Sequence, residues 1–419
     1  MTAVAPAQTN ASITGAWSPG KNLAALFARQ QDAFDLINGL RSMSFLWILI
    51  FHTCYSYGMV AGKESVFALG EASPLLWWIF NADKAVDLFF ILSGFLISLI
   101  LFKEVNRTGT IRLGRFYFRR YLRLTPVYAL ILFLYWLSGG RNHEYVWANL
   151  FYVNNFLEVD QMALQWTWTL AVEEQFYLLW PLLVFTVNRK ALVWICLGLI
   201  ALSPAFRFYL TLVDVEHYKL TAYVWTPARL DALAMGALLA LAVRSGSTVF
   251  KSARLMLALG MIAALYIAIT IVTQYWFLSV ATGWPILNQS FCALLFVVLI
   301  YFCLDLKGNQ NPLTAMLKSA LSGQVIRSIG KYSYAIYVFH LPVSLLLRAH
   351  VHPYIEPHVG NFSISGISLL FVVEAGLLLA VTYLLARISW MLVEKPCLAL
   401  KHRWPMTEQR PAMPAGVPA

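Results

Sequence analysis

Residues 85–102 read AVDLFFILSGFLISLILF, eighteen positions with a single charge, Asp87. Such a run cannot cover a water-facing surface, and with the apolar residues before it the stretch 76–102 exceeds the roughly 20 residues that cross hydrocarbon as a helix. Nine further stretches of the same kind follow or precede it, at 40–60, 124–138, 166–188, 191–213, 228–243, 255–273, 286–304, 332–349 and 366–393. The one at 124–138 is short and is predicted to begin inside the basic segment ahead of it. The whole chain agrees, with 60% of its 419 residues hydrophobic and only 12% charged, where a soluble domain is about 45–50% apolar and about 25% charged. A soluble enzyme is excluded on that ground. Disorder is excluded by 27 Phe, 20 Tyr and 15 Trp, which is the opposite of a disordered composition. The predicted fold class is an all-α polytopic membrane protein, a bundle of about ten transmembrane helices.

The basic residues orient that bundle. With the N-terminus in the cytoplasm, 24 of the 31 Lys and Arg fall on the cytoplasmic side, and Lys63, Lys84, Arg141, Arg207, Lys219, Arg229 and Arg348 fall on the other. This asymmetry is the positive-inside pattern. It predicts an integral multi-pass protein of the cytoplasmic (inner) membrane with both termini cytoplasmic, and it accounts for the net charge of +11 through membrane lipids, without a nucleic-acid partner. Residues 1–33 read as a flexible polar N-terminal segment with no signal-peptide core. Residues 34–400 form the transmembrane domain, and 401–419 a flexible Pro-rich tail. No internal repeat of the sort found in inverted-half transporters is visible. The five Cys have no paired spacing, so neither a disulfide framework nor a metal site is expected.

Ionisable groups within spans are costly and mark candidate sites. Counted at about 1.5 Å per residue from the cytoplasmic edge, His52 lies roughly 16 Å deep, Asp87 and Glu173 roughly 24 Å, Asp231 roughly 20 Å and His340 roughly 14 Å. Five polar groups from five spans at mid-membrane depth must face one another or a water-filled cavity. Arg41 and His52 are eleven residues apart, about 20° from three whole helical turns, so both point the same way. A cation at the mouth and an imidazole below it suit an anionic ligand that sends a reactive end inward. The same spacing also fits an interfacial Arg that snorkels and an interior hydrogen-bonded His. In Arg115-Phe-Tyr-Phe-Arg119-Arg120-Tyr-Leu-Arg123, positions 115, 119 and 123 share a helical face. Guanidinium forks suit phosphates and the interleaved rings suit a purine, while anchoring to anionic headgroups is the competing reading.

Seven motifs in register resemble one family. FDLINGLRSMSFLWILIFHT (34–53), AVDLFFILSGFLIS (85–98), RRYLRLTPVY (119–128), WTLAVEEQFYLLWPLL (168–183), RLDALAMGALLA (229–240), KYSYAIYVFHLPV (331–343) and WMLVEKPCLAL (390–400) are similar to the landmarks of the membrane acyltransferase-3 family, the OafA-like O-acyltransferases. The resemblance implies transfer of an acyl group, usually acetyl, from cytoplasmic acyl-CoA as co-substrate to a hydroxyl of a glycan, lipid-linked sugar or small metabolite. It matches Arg41 and His52 to the family's essential Arg and His, Asp87 and Ser93 to its second motif, Arg120 and Arg123 to its R-x-x-R pair, and Glu173 to its invariant acid. Many relatives carry an appended hydrolase-type domain; its absence from this sequence favours direct, single-domain transfer.

A thioester donor needs a base for the hydroxyl, a stabilised oxyanion and a positioned CoA. His52 is expected to be that base, or alternatively a covalent acyl carrier. Asp87 or Glu173 is expected to orient it. Arg41, Ser93, Arg120 and Arg123 are expected to hold the CoA, with close backbone approach at Ser93-Gly94 along the pantetheine path. Asp231 and His340 are expected on the acceptor side, with the acceptor entering from the outer face past Asp87, Glu173 and Asp231. A proton-coupled exporter using the same groups as a relay is the competing function, and a non-catalytic scaffold a third.

Overall fold

The computed structural model of the chain describes residues 35–61, 84–158, 160–213, 218–245, 253–276, 284–305, 316, 319–359, 363–364 and 367–400. Ten long helices follow one another in these residues: α1 (Asp35–Ala61), α2 (Ala85–Thr108), α3 (Leu113–Leu137), α4 (Trp168–Thr186), α5 (Arg189–Val213), α6 (Leu230–Ser245), α7 (Ala253–Trp276), α8 (Trp284–Asp305), α9 (Gln324–His350) and α10 (Leu369–Ser389). Each apolar stretch read from the sequence lies on one of them, although residues 76–83 fall outside the described residues. So do the two expected flexible ends, 1–33 and 401–419. Helix α3 begins at Leu113, inside the basic segment, as its short apolar run requires. The only β pairing among the described residues is a two-residue contact between Ser363–Ile364 and Ile367–Ser368.

By length and apolarity alone, four stretches qualify to cross a membrane: Ala85–Thr108, Arg189–Val213, Ile286–Cys303 and Leu369–Ala399. Gln324–His350 joins them when taken with His352–His358, to which it is bent by 62°. The apolar parts of α6 and α7 are shorter, Leu230–Val243 and Arg254–Thr270, and α3 carries four arginines near its start. Large apolar side chains stand exposed on the outward faces, among them Leu178, Leu182 and Phe185 on α4, Trp194 and Phe208 on α5, and Met261 and Leu265 on α7. A soluble monomer does not expose a belt of that kind. Hydrocarbon solvates it, and the chain is a helical membrane protein.

Inside the belt, α2 and α6 pack with their backbones nearly touching. A Cβ at Gly94 would collide with the Leu233 carbonyl, and one at Gly236 with the Ile91 carbonyl. Small residues permit this approach, and in lipid close packing is what holds helices together. The close neighbour of Gly94 is therefore α6, and the expected role of its bareness along a ligand path is replaced by helix packing. Helix α2 ends where Gly109 takes a left-handed conformation (φ 75°) and its N–H reaches the Val105 carbonyl at 2.8 Å, a common helix stop. Helix α4 crosses α2 with Trp180 Nε1 donating to Ser98 Oγ at 2.8 Å. After α10 the chain makes one π-helical turn, Trp390–Glu394, which brings Glu394 into the interior.

Candidate active site

A cavity of about 850 Å³ opens among α1, α2, α3, α4 and α9. At one end its lining is basic, with Arg41, Lys103, Arg115, Arg119, Arg120 and Arg123. At the other it is formed by Ile48, Val86, Thr169 and Tyr337. Lys103 and Val86 are seventeen residues apart on α2, so the cavity runs roughly 25 Å along that helix. Those same four residues also wall a second, much smaller chamber of about 70 Å³, closed by Phe51, His52, Trp166, Trp168 and Tyr223. The two cavities therefore abut at these residues, with Arg41 lining the large one and His52, further along α1, lining the small one.

Two adjacent glutamates on α4, of which Glu173 lines the large cavity, have different partners. Ser93 Oγ donates to Glu173 Oε1 at 2.5 Å, joining α2 to α4. Glu174 accepts from Arg120 Nε at 3.4 Å and from its Nη2 at 3.3 Å, joining α4 to α3. The Arg120 guanidinium also lies 3.4 Å over the centre of the Tyr177 ring, a cation–π contact. Glu174 and Tyr177 are functional neighbours that the sequence reading passed over. Their spacing around Glu173 on one helix was the available signal. Arg120 is half-buried and ion-paired, whereas Arg123, one turn along, is exposed.

Around the small chamber the polar groups come from α1, α9, the start of α4 and the turn before it. Thr169 Oγ1 and the Tyr337 hydroxyl are 2.8 Å apart, and the Tyr337 hydroxyl donates to the Trp166 carbonyl. His340 is completely buried. Its Nδ1 lies 2.5 Å from the Tyr337 carbonyl, and its Nε2 has no hydrogen-bond partner. The His52 and His340 rings are 4.9 Å apart, centre to centre. No hydrogen bond among the described residues joins His52 to Asp87 or Glu173.

Asp87 and Asp231 are placed elsewhere. Asp87 Oδ1 accepts from Arg229 Nη2 at 2.7 Å, and the Arg229 guanidinium sits among the rings of Phe90, Trp168 and Tyr223 at 5.5, 5.8 and 5.2 Å. Asp231 Oδ2 accepts from Arg207 Nη2 at 2.9 Å and from Ser290 Oγ at 2.6 Å. Arg207 also holds the carbonyls of Ile286 and Ala228. Neither aspartate lines either cavity, and each is held by a buried arginine. Arg207 and Arg229, counted from the sequence among the outer-loop charges, are buried helix-linking groups. Both were missed as partners because the contacts join separate elements.

A helical membrane bundle enclosing a basic-mouthed cavity, with a smaller histidine-lined chamber against its far wall, defines the class to which this chain is to be compared. It belongs to the acyltransferase-3 family, whose sequence model, described as an acyltransferase domain, matches residues 34–389. Two bacterial relatives cover 86% of the chain. A Staphylococcus aureus (strain COL) protein named as a candidate O-acetyltransferase is 24% identical over 385 residues. The Listeria monocytogenes peptidoglycan O-acetyltransferase OatA is 27% identical over 390 residues. The chain spans 56% and 55% of their respective lengths. Nose resistant to fluoxetine protein 6 of Caenorhabditis elegans is 32% identical over 209 residues, covering 42% of the chain and 25% of the relative. No solved structure matches the chain.

Proposed function

We propose that the chain is an O-acyltransferase of the cytoplasmic (inner) membrane, with ten spans and both termini cytoplasmic, moving an acetyl group from acyl-CoA to a hydroxyl of a glycan, lipid-linked sugar or hydroxylated small molecule. One observation carries this reading: the basic cavity shares a wall with a chamber that His52 lines. A volume of about 850 Å³ is in the range of sites that take a cofactor-sized ligand. The six basic side chains at its mouth suit CoA phosphates. Arg41, Arg120 and Arg123 hold those phosphates, and Ser93 lines the way inward. Counted by bonds, a pantetheine arm of about 15–20 Å reaches the level of His52, roughly 16 Å below Arg41.

In the step itself the acceptor oxygen attacks the thioester carbonyl while His52 takes its proton. The new C–O bond forms and the C–S bond breaks. The departing thiolate receives the proton from His52, leaving an ester and free CoA thiol. Glu173 shapes the passage through Ser93. Asp87 acts at one remove, through Arg229 and the aromatic wall behind the chamber, and His340 lies beside the base. Asp231 holds α5, α6 and α8 together on the acceptor side. A proton relay for export needs carboxylates free to titrate, and Asp87 and Asp231 are each locked to an arginine, which favours the transferase. The peptidoglycan named for the listerial relative supports a glycan hydroxyl as acceptor.

The test is release of CoA thiol by purified protein given acetyl-CoA and a hydroxylated acceptor. Wild type is expected to release thiol and His52→Ala to lose transfer while remaining inserted and folded. Near-normal acylation by His52→Ala would show that His52 is neither base nor acyl carrier.

A further inference from the structure

We infer that His340 is the positioning partner of His52, filling the place that a carboxylate takes behind a catalytic histidine; this rests on the transferase reading above. Three observations carry it. The His340 ring is fixed from all sides, edge-on to Phe45 at 6.2 Å and to Trp166 at 6.4 Å, and tilted on Tyr337 at 5.3 Å. Its Nδ1 faces the Tyr337 carbonyl at 2.5 Å. A carbonyl only accepts, so Nδ1 carries the hydrogen and Nε2 is left as a lone-pair acceptor. That Nε2 is buried without a partner, a costly state for a polar atom unless a donor reaches it at some stage of function.

His52 supplies the donor. Its ring centre lies 4.9 Å from that of His340. An in-line N–H···N bond between two imidazoles, with nitrogens about 2.9 Å apart, puts the centres about 5 Å apart. The planes are inclined at 54°, so the bond requires the His52 ring to turn about its Cβ–Cγ bond. Neither carboxylate at this depth competes for it, since Asp87 holds Arg229 and Glu173 holds the Ser93 hydroxyl.

The consequence is specific. The neutral His52 that takes the hydroxyl proton on one nitrogen already carries a hydrogen on the other, and that N–H needs an acceptor in an apolar wall. His340 Nε2 accepts it throughout, fixes the His52 tautomer, and holds the imidazolium in one orientation until the first nitrogen passes its proton to the CoA sulfur. His340 itself neither gains nor loses a proton in the cycle. An orienting partner of this kind changes turnover and leaves donor binding alone.

The experiment compares purified His340→Ala and His340→Gln with wild type in the thiol-release assay, with folding followed by thermal unfolding in detergent. A glutamine amide sits near the depth of Nε2 and offers an acceptor oxygen. The expected result is a kcat about 100-fold lower in His340→Ala with the acyl-CoA KM within about twofold of wild type, and at least about tenfold recovery in His340→Gln. A His340→Ala kcat within about threefold of wild type, or a loss that glutamine does not relieve, assigns His340 to packing and overturns the inference. Active wild type with inactive His52→Ala in the same assay confines such a failure to His340 and leaves the transferase reading standing.

Discussion

Two arginines one turn apart on α3 show how much a side chain's role depends on its surroundings. Arg120 is paired with Glu174 and lies over Tyr177, whereas Arg123 is exposed at the cavity mouth. A charge-assisted contact to a phosphate contributes about 1.5–3 kcal/mol, so losing either raises the acyl-CoA KM roughly tenfold or more. Arg120→Ala also strands a half-buried carboxylate and should lower the unfolding temperature. Titrating acetyl-CoA against both variants, and melting them in detergent, separates the two. An unchanged KM in Arg123→Ala would return that residue to a headgroup anchor.

At the scale of helices, the ion pair between Asp87 and Arg229 clamps the start of α2 to the start of α6, next to the place where Gly94 and Gly236 let their backbones meet. Removing one partner of a buried pair leaves an uncompensated charge and costs about 3–5 kcal/mol, whereas replacing both with apolar groups is often neutral or better. Asp87→Leu and Arg229→Met should each destabilise the protein strongly, and the double variant should unfold at a higher temperature than either single one. Additive losses in the double variant would show that the pair does not act as a clamp. Because Arg229 also sits behind Trp168 and Tyr223, which close the chamber, the double variant tests stability separately from activity.

For the molecule as a whole, depth was only partly legible in the sequence and neighbourhood was not. Counting residues at a constant rise puts His52 and His340 at similar levels, and their rings lie 4.9 Å apart; it puts Glu173 about 8 Å further out than His52, whereas Glu173 lines the basic-mouthed cavity that His52 does not. The shared face of Arg41 and His52 and the basic start of α3 followed from the same arithmetic. Which groups meet across the bundle depends on how helices are rotated and packed. No spacing encodes the bonds from Arg229 to Asp87 or from Ser93 to Glu173, which join residues 142 and 80 positions apart. Arg207 and Arg229 were therefore sorted by side as loop charges, and Glu174 was passed over in favour of its neighbour. The family motifs pointed to individual residues, and packing decided which of them share a cavity.

The central claim is that the donor enters at the basic mouth and delivers its acyl group at His52. The most direct measurement is an experimental structure of the purified protein with CoA bound. The predicted result has the phosphates among Arg41, Arg120 and Arg123, the pantetheine arm passing Ser93, and the sulfur beside the His52 ring. CoA bound outside this cavity, or a sulfur separated from His52 by packed apolar side chains, would contradict it.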